Sequence, residues 1–195
     1  MNKTYDWWLN MSELEYHAWF DNVFSETELD MIESMFDDNE LNLGTTNLNQ
    51  ESLDIRDSKI KFLESSLEEN KWIFQRLTGT VLEANKTFFQ FDLDRVEGLQ
   101  YTTYKKNQFY HDHLDLMYRS SNNAVRKLSF SVQLSDPDSY KGGDLLLKIS
   151  NNPTSVKRTR GTVIFFPSYV LHEVTPVKQG VRKSLVGWVT GPRWK

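Results

Sequence analysis

His113 and Asp115 stand two residues apart in the run Tyr110-His111-Asp112-His113-Leu114-Asp115. On an extended strand, residues at i and i+2 point to the same face, so an imidazole and a carboxylate can be presented together. A third donor must come from a distant strand, and His172 is the candidate. Two histidines and one carboxylate on one side of a metal leave the other positions open. That arrangement suits Fe(II) that must also bind a co-substrate and oxygen. Two competing readings of the cluster stay open. His111-Asp112-His113 is also an HxH pair of the kind cupins use, although Leu114 to Arg119 lacks the glutamate that pattern wants. His111 can also be the ligand, with His113 facing away. The fourth histidine, His17, adjoins an apolar stretch and reads as structural or exposed.

Downstream of His172 the sequence continues Glu173-Val174-Thr175-Pro176-Val177 and then Gly180-Val181-Arg182-Lys183-Ser184. A guanidinium binds a carboxylate through two parallel hydrogen bonds, which an ammonium cannot match. Arg182, on the strand after the last candidate ligand, can fix the far carboxylate of a dicarboxylic acid whose other end chelates iron. Ser184 falls on the same strand face and can add a hydroxyl donor. Taken alone, Arg182 also reads as a surface arginine on an edge strand.

These residues need strands to carry them. The chain begins with helices. Ser25-Glu26-Thr27-Glu28 has the form of a capping box, and Leu29, Ile32 and Phe36 follow at helical spacing. Residues 37–50 read as a polar surface loop. A longer helix is predicted over Glu69 to Lys86, with Ile73, Leu77, Val81 and Ala84 on one face. From Phe88 onward, short aromatic and β-branched segments predict strands at Phe88–Leu93, Leu99–Tyr104, Lys127–Leu134, Asp144–Ile149, Gly161–Phe166 and Ser184–Val189. Turn formers separate them: Asp136-Pro137-Asp138, Gly142-Gly143, Asn151-Asn152-Pro153 and Gln179-Gly180. In Lys127–Leu134, Leu128, Phe130, Val132 and Leu134 alternate with Ser129, Ser131 and Gln133, which predicts a half-buried strand with a polar second face. Helices followed by a run of strands favour a β-sandwich or jelly roll with a helical buttress.

At 195 residues the chain is long enough to bury a real core. Hydrophobic residues make up 38% and charged residues 26%, the ordinary range of a globular protein. With a net charge of −4, general phosphate-backbone binding is not expected. The basic run Val156–Arg160 reads as a solvated loop. There are no cysteines, which excludes disulfides, thiolate zinc sites and cysteine nucleophiles. The opening MNKTYDWWLN lacks the apolar core of a signal peptide, and no stretch approaches the ~18 apolar residues of a membrane span, so a soluble cytoplasmic protein is expected.

The chemistry-bearing segments resemble the prolyl 4-hydroxylase branch of the 2-oxoglutarate/Fe(II) oxygenases, and within it the bacterial and phage PKHD-type hydroxylases. The family's first block, Tyr-x2-Gly-x2-Tyr-x2-His-x-Asp, stands here as Tyr104, Asn107, Tyr110, His113 and Asp115. Asn107 replaces the glycine, and asparagine also tolerates a left-handed turn. The second block runs from Arg126 through Leu134-Ser135-Asp136-Pro137-Asp138 to Tyr140-Lys141-Gly142-Gly143-Asp144-Leu145. The third is Gly161-Thr162-Val163-Ile164-Phe165-Phe166-Pro167-Ser168, then Leu171-His172-Glu173-Val174, Pro176-Val177, Gly180, Arg182 and Trp188. Arg56-Asp57-Ser58 and the helix before Phe88 extend the match more weakly towards the N-terminus.

The resemblance implies a mainly β fold with N-terminal helices, an α+β chain whose core is a double-stranded β-helix (a cupin-like jelly roll). One oxygenase domain over residues 1–195 is expected, with 1–90 as helical support and 91–195 as the core carrying the iron site. It implies His113, Asp115 and His172 as iron ligands and Arg182 as the co-substrate clamp, with Ser184, Tyr104 and Gln133 beside it. Gln133 occupies a position that is often Tyr. Tyr104 and Trp188 also read as core aromatics, and for Trp188 that reading is preferred. The implied reaction hydroxylates an unactivated C–H bond and splits 2-oxoglutarate into succinate and CO2. It uses Fe(II), 2-oxoglutarate and O2, with ascorbate as reductant and a prolyl or other protein or peptide side chain as the preferred target. The rivals are a catalytically silent jelly-roll binding module, a cupin-like metal enzyme, and a hydroxylase of a small molecule or nucleobase. The substrate loops around Met117–Val125 and Asp136–Tyr140 carry no recognisable code.

Overall fold

In the computed structural model of the chain, residues 15–45, 53–119 and 124–194 are described. The chain runs through β1 (Ala18–Phe20), α1 (Glu26–Ser34), β2 (Asn42–Leu43), β3 (Arg56–Asp57), β4 (Lys59–Leu63) and α2 (Lys71–Ala84). Next come β5 (Arg95–Val96), β6 (Leu99–Tyr104), β7 (Phe109–His113), β8 (Tyr118–Arg119) and β9 (Ala124–Gln133). The last third holds β10 (Lys141–Gly142), β11 (Leu145–Leu147), β12 (Thr154–Ser155), β13 (Val163–Pro167), β14 (His172–Val174), β15 (Val177–Gln179) and β16 (Arg182–Pro192).

The strands form a jelly roll of two main antiparallel sheets. The larger runs β1-β13-β9-β16-β6-β4-β2, with β5 and β8 attached to β16 and β9. The smaller runs β12-β11-β14-β7-β3, and β10 pairs with β15 in a separate two-stranded ribbon. The helices pack on the large sheet. Leu29 and Ile32 of α1 and Ile73, Leu77, Val81 and Ala84 of α2 join Leu128, Phe130, Val132, Leu185 and Val189 in one apolar core. Each Val, Leu, Ile or Phe side chain among them, taken fully out of water, contributes about 1.5–3 kcal/mol. A second cluster, including Tyr104, Tyr110, Leu147, Phe166 and Val174, fills part of the space between the sheets.

Local chemistry explains the elements that hold. Ser25 caps α1: its hydroxyl accepts the Glu28 N–H at 3.3 Å, and the Glu28 carboxylate accepts the Ser25 N–H at 2.8 Å. Gly180 takes φ +74° in the turn before β16, and a Cβ there would lie 2.1 Å from the Ser139 carbonyl oxygen. Asn107 adopts the left-handed conformation, φ +70°, at the position where the sequence pattern has glycine.

Several expectations need correction. Phe88–Leu93 is not a strand. Helix α2 runs into a π-turn over Asn85–Phe89, ended by Gln90 at φ +53°. The Asn85 amide then takes up both the N–H and the carbonyl of Phe91, so these backbone groups need no neighbouring strand. Residues 37–50 are not only a loop, since β2 pairs with β4; residues 46–50 lie outside the described residues. The first 90 residues supply strands β1 to β4 as well as helices, because the two sheets recruit them along their edges. The run Val156–Arg160 is not simply solvated. Arg160 pairs with Glu26, Asp30 and Glu33 of α1, Arg158 with Asp144, and Lys157 with Asp21. The polar face of β9 is not exposed either: every residue of β9 is buried.

Candidate metal centre and co-substrate cavity

Strands β7 and β14 of the small sheet bring two histidines side by side, His113 opposite His172 in the register. The pairing slips by one residue, because Val174 lies opposite Tyr110, so β7 carries one extra residue between positions 110 and 113. Such a bulge re-aims the side chains that follow it. It puts His113 on the inner face together with Tyr110, whose ring stacks on the imidazole at 3.5 Å between centroids and 13° between planes. His111 and Asp112 turn outward and are exposed. His111 lies against Phe109, and Asp112 forms an ion pair with Lys148. In this arrangement His113, and not His111, faces Asp115 and His172.

Asp115 follows β7 and is buried. Its backbone N–H donates to the Ser168 carbonyl at 3.1 Å. One carboxylate oxygen lies 3.5 Å from His172 Nε2 and the other 3.9 Å from His113 Nε2. The three ligand atoms all fall within 4.8 Å of one another. Donors at ~2.1 Å around one octahedral ion would be about 3.0 Å apart when adjacent, so a modest contraction closes the set.

The tautomers are set by the backbone. His113 Nδ1 lies 2.8 Å from the His111 carbonyl oxygen, and His172 Nδ1 lies 2.9 Å from that of Val170. A carbonyl only accepts, so both Nδ1 atoms donate their hydrogen to it and both Nε2 atoms are left facing Asp115. Burial and the neighbouring His172 push the His113 pKa down to about 3. For Asp115, burial works upward, but His172, His113 and the Ser129 hydroxyl outweigh it and hold the carboxyl below its ordinary range. A neutral imidazole and an ionised carboxylate are the forms a divalent cation needs.

The large sheet supplies the opposite wall. On β6, β9 and β16 alternate side chains face inward, and the registers align them in rows. Arg182 lies beside Tyr104, Ser184 between Thr102 and Gln133, Val186 between Gln100 and Ser131, and Trp188 beside Ser129. Arg182 is 2% exposed. It donates to the Ser184 hydroxyl at 3.1 Å and to the Gln133 side-chain oxygen at 3.4 Å, and its guanidinium lies 5.6 Å from the Tyr104 ring centre. No carboxylate among the described residues pairs with it. A buried cation with only neutral partners is costly, and an anionic ligand would relieve the cost. Arg182, Ser184, Tyr104 and Gln133 are therefore brought together, and Arg182 is no surface residue.

The same cavity, ≈ 120 Å³, is lined by the three candidate ligands at one side and by Tyr104, Arg182 and Ser184 at the other. Three further lining residues had no functional role in the sequence reading. Arg56 donates to Ser58 and to the Thr45 carbonyl, and its guanidinium lies 4.6 Å from the Tyr110 ring centre. Arg126 forms an ion pair with Glu97 at 2.7 Å and lies 4.0 Å over the Trp188 ring. A register slip between β9 and β16, where Val189 faces Leu128 but Thr190 faces Arg126, brings Arg126 into the cavity lining. Trp188 is buried and lines the cavity, and its indole N–H has no hydrogen-bond partner among the described residues. Only the alternation along β16, Arg182-Ser184-Val186-Trp188, could have placed Trp188 in the site beforehand.

Residues 99–190 match the sequence model of the 2OG-Fe(II) oxygenase superfamily. The chain resembles this superfamily over that span, a little under half of its length. It is 33% identical over 128 residues to a PKHD-type hydroxylase of Prochlorococcus marinus, a match covering 65% of this chain and 56% of the relative. The chain thus spans about half the length of the relatives it matches. Its fold is that of a Pseudomonas putida prolyl-4-hydroxylase, with a TM-score of 0.72 at 21% identity, covering 92% of this chain and 94% of that one. A prolyl hydroxylase of Trichoplax adhaerens, solved with a hypoxia inducible factor oxygen degradation domain peptide fragment, superposes with a TM-score of 0.74 at 17% identity. That match covers 89% of this chain and 83% of the other. No helix among the described residues is long and apolar enough to cross a membrane.

Proposed function

We propose that the chain is a 2-oxoglutarate-dependent dioxygenase that hydroxylates an unactivated C–H bond, with a prolyl or other peptide side chain as its target. One observation carries this reading: two imidazole nitrogens and a carboxylate converge at one side of a buried cavity whose other side holds an arginine with no anionic partner among the described residues. The donor set fits Fe(II), since three nitrogen and oxygen ligands on one face leave the remaining positions open. The cavity fits a dicarboxylic 2-oxo acid, whose far carboxylate would meet Arg182. With Fe(II), 2-oxoglutarate and O2 bound, the cofactor chemistry converts 2-oxoglutarate to succinate and CO2 as the substrate is hydroxylated.

The protein's own part is positional. His113, Asp115 and His172 would hold the metal on the small sheet. Arg182, Ser184 and Tyr104 would bind and orient the co-substrate from the large sheet, and Gln133 would hold the Arg182 fork. The apolar cluster between the sheets keeps water from the site. No side chain is required to move a proton. A peptide target is supported by the bound peptide fragment of the Trichoplax adhaerens protein and by the prolyl-4-hydroxylase likeness.

The test is succinate formation by purified protein supplied with Fe(II), ascorbate and O2, alone and with proline-containing peptides followed for a mass gain of one oxygen. Asp115→Ala should abolish turnover, because it removes the carboxylate ligand and its charge. Absence of succinate from protein shown to hold iron would overturn the dioxygenase reading in favour of a silent binding module. Succinate that no proline peptide stimulates would overturn only the target.

A further inference from the structure

Three arginines line the cavity, Arg56, Arg126 and Arg182, and among the described residues Asp115 is the only acid that does. Arg126 spends its charge on Glu97. Arg182 faces the proposed co-substrate. Arg56 is left over. It is 6% exposed, and no carboxylate among the described residues pairs with it. Its neighbour Asp57 is on the opposite face of β3, where it accepts from the Gln108 amide at 2.7 Å.

The Arg56 fork is fixed in place. Nε donates to the Ser58 hydroxyl at 2.8 Å, and Nη1 donates to the Thr45 carbonyl at 2.8 Å. Gly44 makes room for it: a Cβ there would lie 2.5 Å from Arg56 Nε and 2.4 Å from the Ser58 oxygen. The guanidinium carbon stands 4.6 Å from the centre of the Tyr110 ring, the same ring that stacks on His113 at 3.5 Å. Nη2 has no hydrogen-bond partner among the described residues. With a metal and 2-oxoglutarate in place, the divalent ion and Arg182 are balanced by Asp115 and the two carboxylates of the co-substrate. The surplus charge is that of Arg56. A buried cation without an anion is costly, and a carboxylate is the group that a held guanidinium matches.

We propose that Arg56 is a specificity residue that binds a carboxylate of the molecule to be hydroxylated. Because Arg56 and His113 touch one ring, that carboxylate lies within about two residues of the reacting carbon, at ~3.5 Å of chain per residue. It is an Asp or Glu side chain, or a free C-terminal carboxylate. The inference rests on the dioxygenase reading above and names the class of its substrate.

The experiment is the capture of proline peptides by the purified full chain loaded with Co(II) and N-oxalylglycine, an analogue of 2-oxoglutarate, so that no turnover is needed. One peptide pool is blocked at both ends, with randomised residues flanking the proline. A second pool ends in a free carboxylate beside the proline, with the matching amides as competitors. Captured peptides are read by mass spectrometry. Wild type should enrich Asp or Glu in the first pool, or the free acids in the second, by roughly tenfold or more, the worth of one hydrogen bond to a charged group. The pool that shows the enrichment identifies the source of the carboxylate. Arg56→Gln keeps a donor but no charge and should abolish the enrichment. Arg56→Lys keeps the charge without the fork and should retain part of it. Co(II) uptake checks that each variant is folded; where Arg56→Gln is not, Arg56→Lys decides, and undiminished enrichment in it would overturn the proposal. Preference of wild type for neutral or basic peptides, or an acid preference that persists in Arg56→Gln, would overturn it while leaving the dioxygenase reading standing. Loaded protein that captures no peptide would overturn the peptide target and this inference with it. Folded protein that takes up no Co(II) would overturn the metal reading itself.

Discussion

Arg182→Met is the most informative substitution, because the structure predicts opposite effects on stability and on co-substrate binding. Methionine keeps the unbranched stem and removes the charge. Without co-substrate, Arg182 is 2% exposed, and among the described residues its guanidinium meets Ser184, Gln133 and the Tyr104 ring but no carboxylate. Removing an unpaired buried charge does not destabilise a fold, so the melting temperature of the ligand-free variant should equal or exceed that of wild type. Binding should behave otherwise. Truncating one member of a buried, hydrogen-bonded charge pair costs about 2–5 kcal/mol. At 1.4 kcal/mol per factor of ten, the apparent KM for 2-oxoglutarate should rise roughly 30-fold or more. The stabilisation that N-oxalylglycine gives to wild type, about 2.7 kcal/mol at a hundredfold excess over Kd, should vanish from the variant at the same concentration. Arg182→Lys should fall between, since it keeps the charge but not the two-pronged fork. Co(II) affinity should change little, because Arg182 lies on the wall opposite the ligands. Two results would refute the reasoning: an unchanged KM for 2-oxoglutarate, or a large drop in ligand-free stability showing that the guanidinium has a structural partner.

Other substitutions test the remaining assignments. His111→Ala should leave Co(II) affinity unaltered because His111 is exposed and faces away, whereas His113→Ala should lower it by orders of magnitude; equal losses would show that the β7 bulge has been misplaced. Gly187→Ala should destabilise the fold by about 1–3 kcal/mol in a denaturant titration, since its Cβ would meet the buried Phe130 ring at 2.3 Å; an unchanged midpoint would contradict the packing of β16 on β9. Ser25→Ala should cost about 1 kcal/mol by dismantling the capping box of α1, with no change in metal affinity.

The N-terminal helices show where sequence is sufficient. The capping box at Ser25 and the buried stripe Ile73-Leu77-Val81-Ala84 depend on contacts within a few residues, so spacing alone specifies them. The strand Leu99–Tyr104 was equally legible. Phe88–Leu93 was not: its aromatic residues resemble a strand, but a side-chain amide at Asn85 captures the backbone of Phe91. Likewise the short strands β2 and β3 have no pattern of their own and exist because sheet edges accept them.

For the site, residue type and chain order nominated Asp115, His172, Arg182 and Ser184 and left His113 and His111 as alternatives, because Fe(II) and a carboxylate each demand particular donors; the family pattern chose His113. Which of His111 and His113 faces inward could not be settled by alternation, because the bulge on β7 changes the parity. A slip of one residue on β9 likewise helped to hide Arg126 from sequence reasoning. The serines of β9 alternate in the sequence like the wet side of a sheet, yet they are buried, because the second sheet closes over them. Periodicity records which side chains share a face. What that face meets, whether water, a core or a ligand cavity, depends on pairings between residues far apart in the chain, and only the folded tertiary structure decides it.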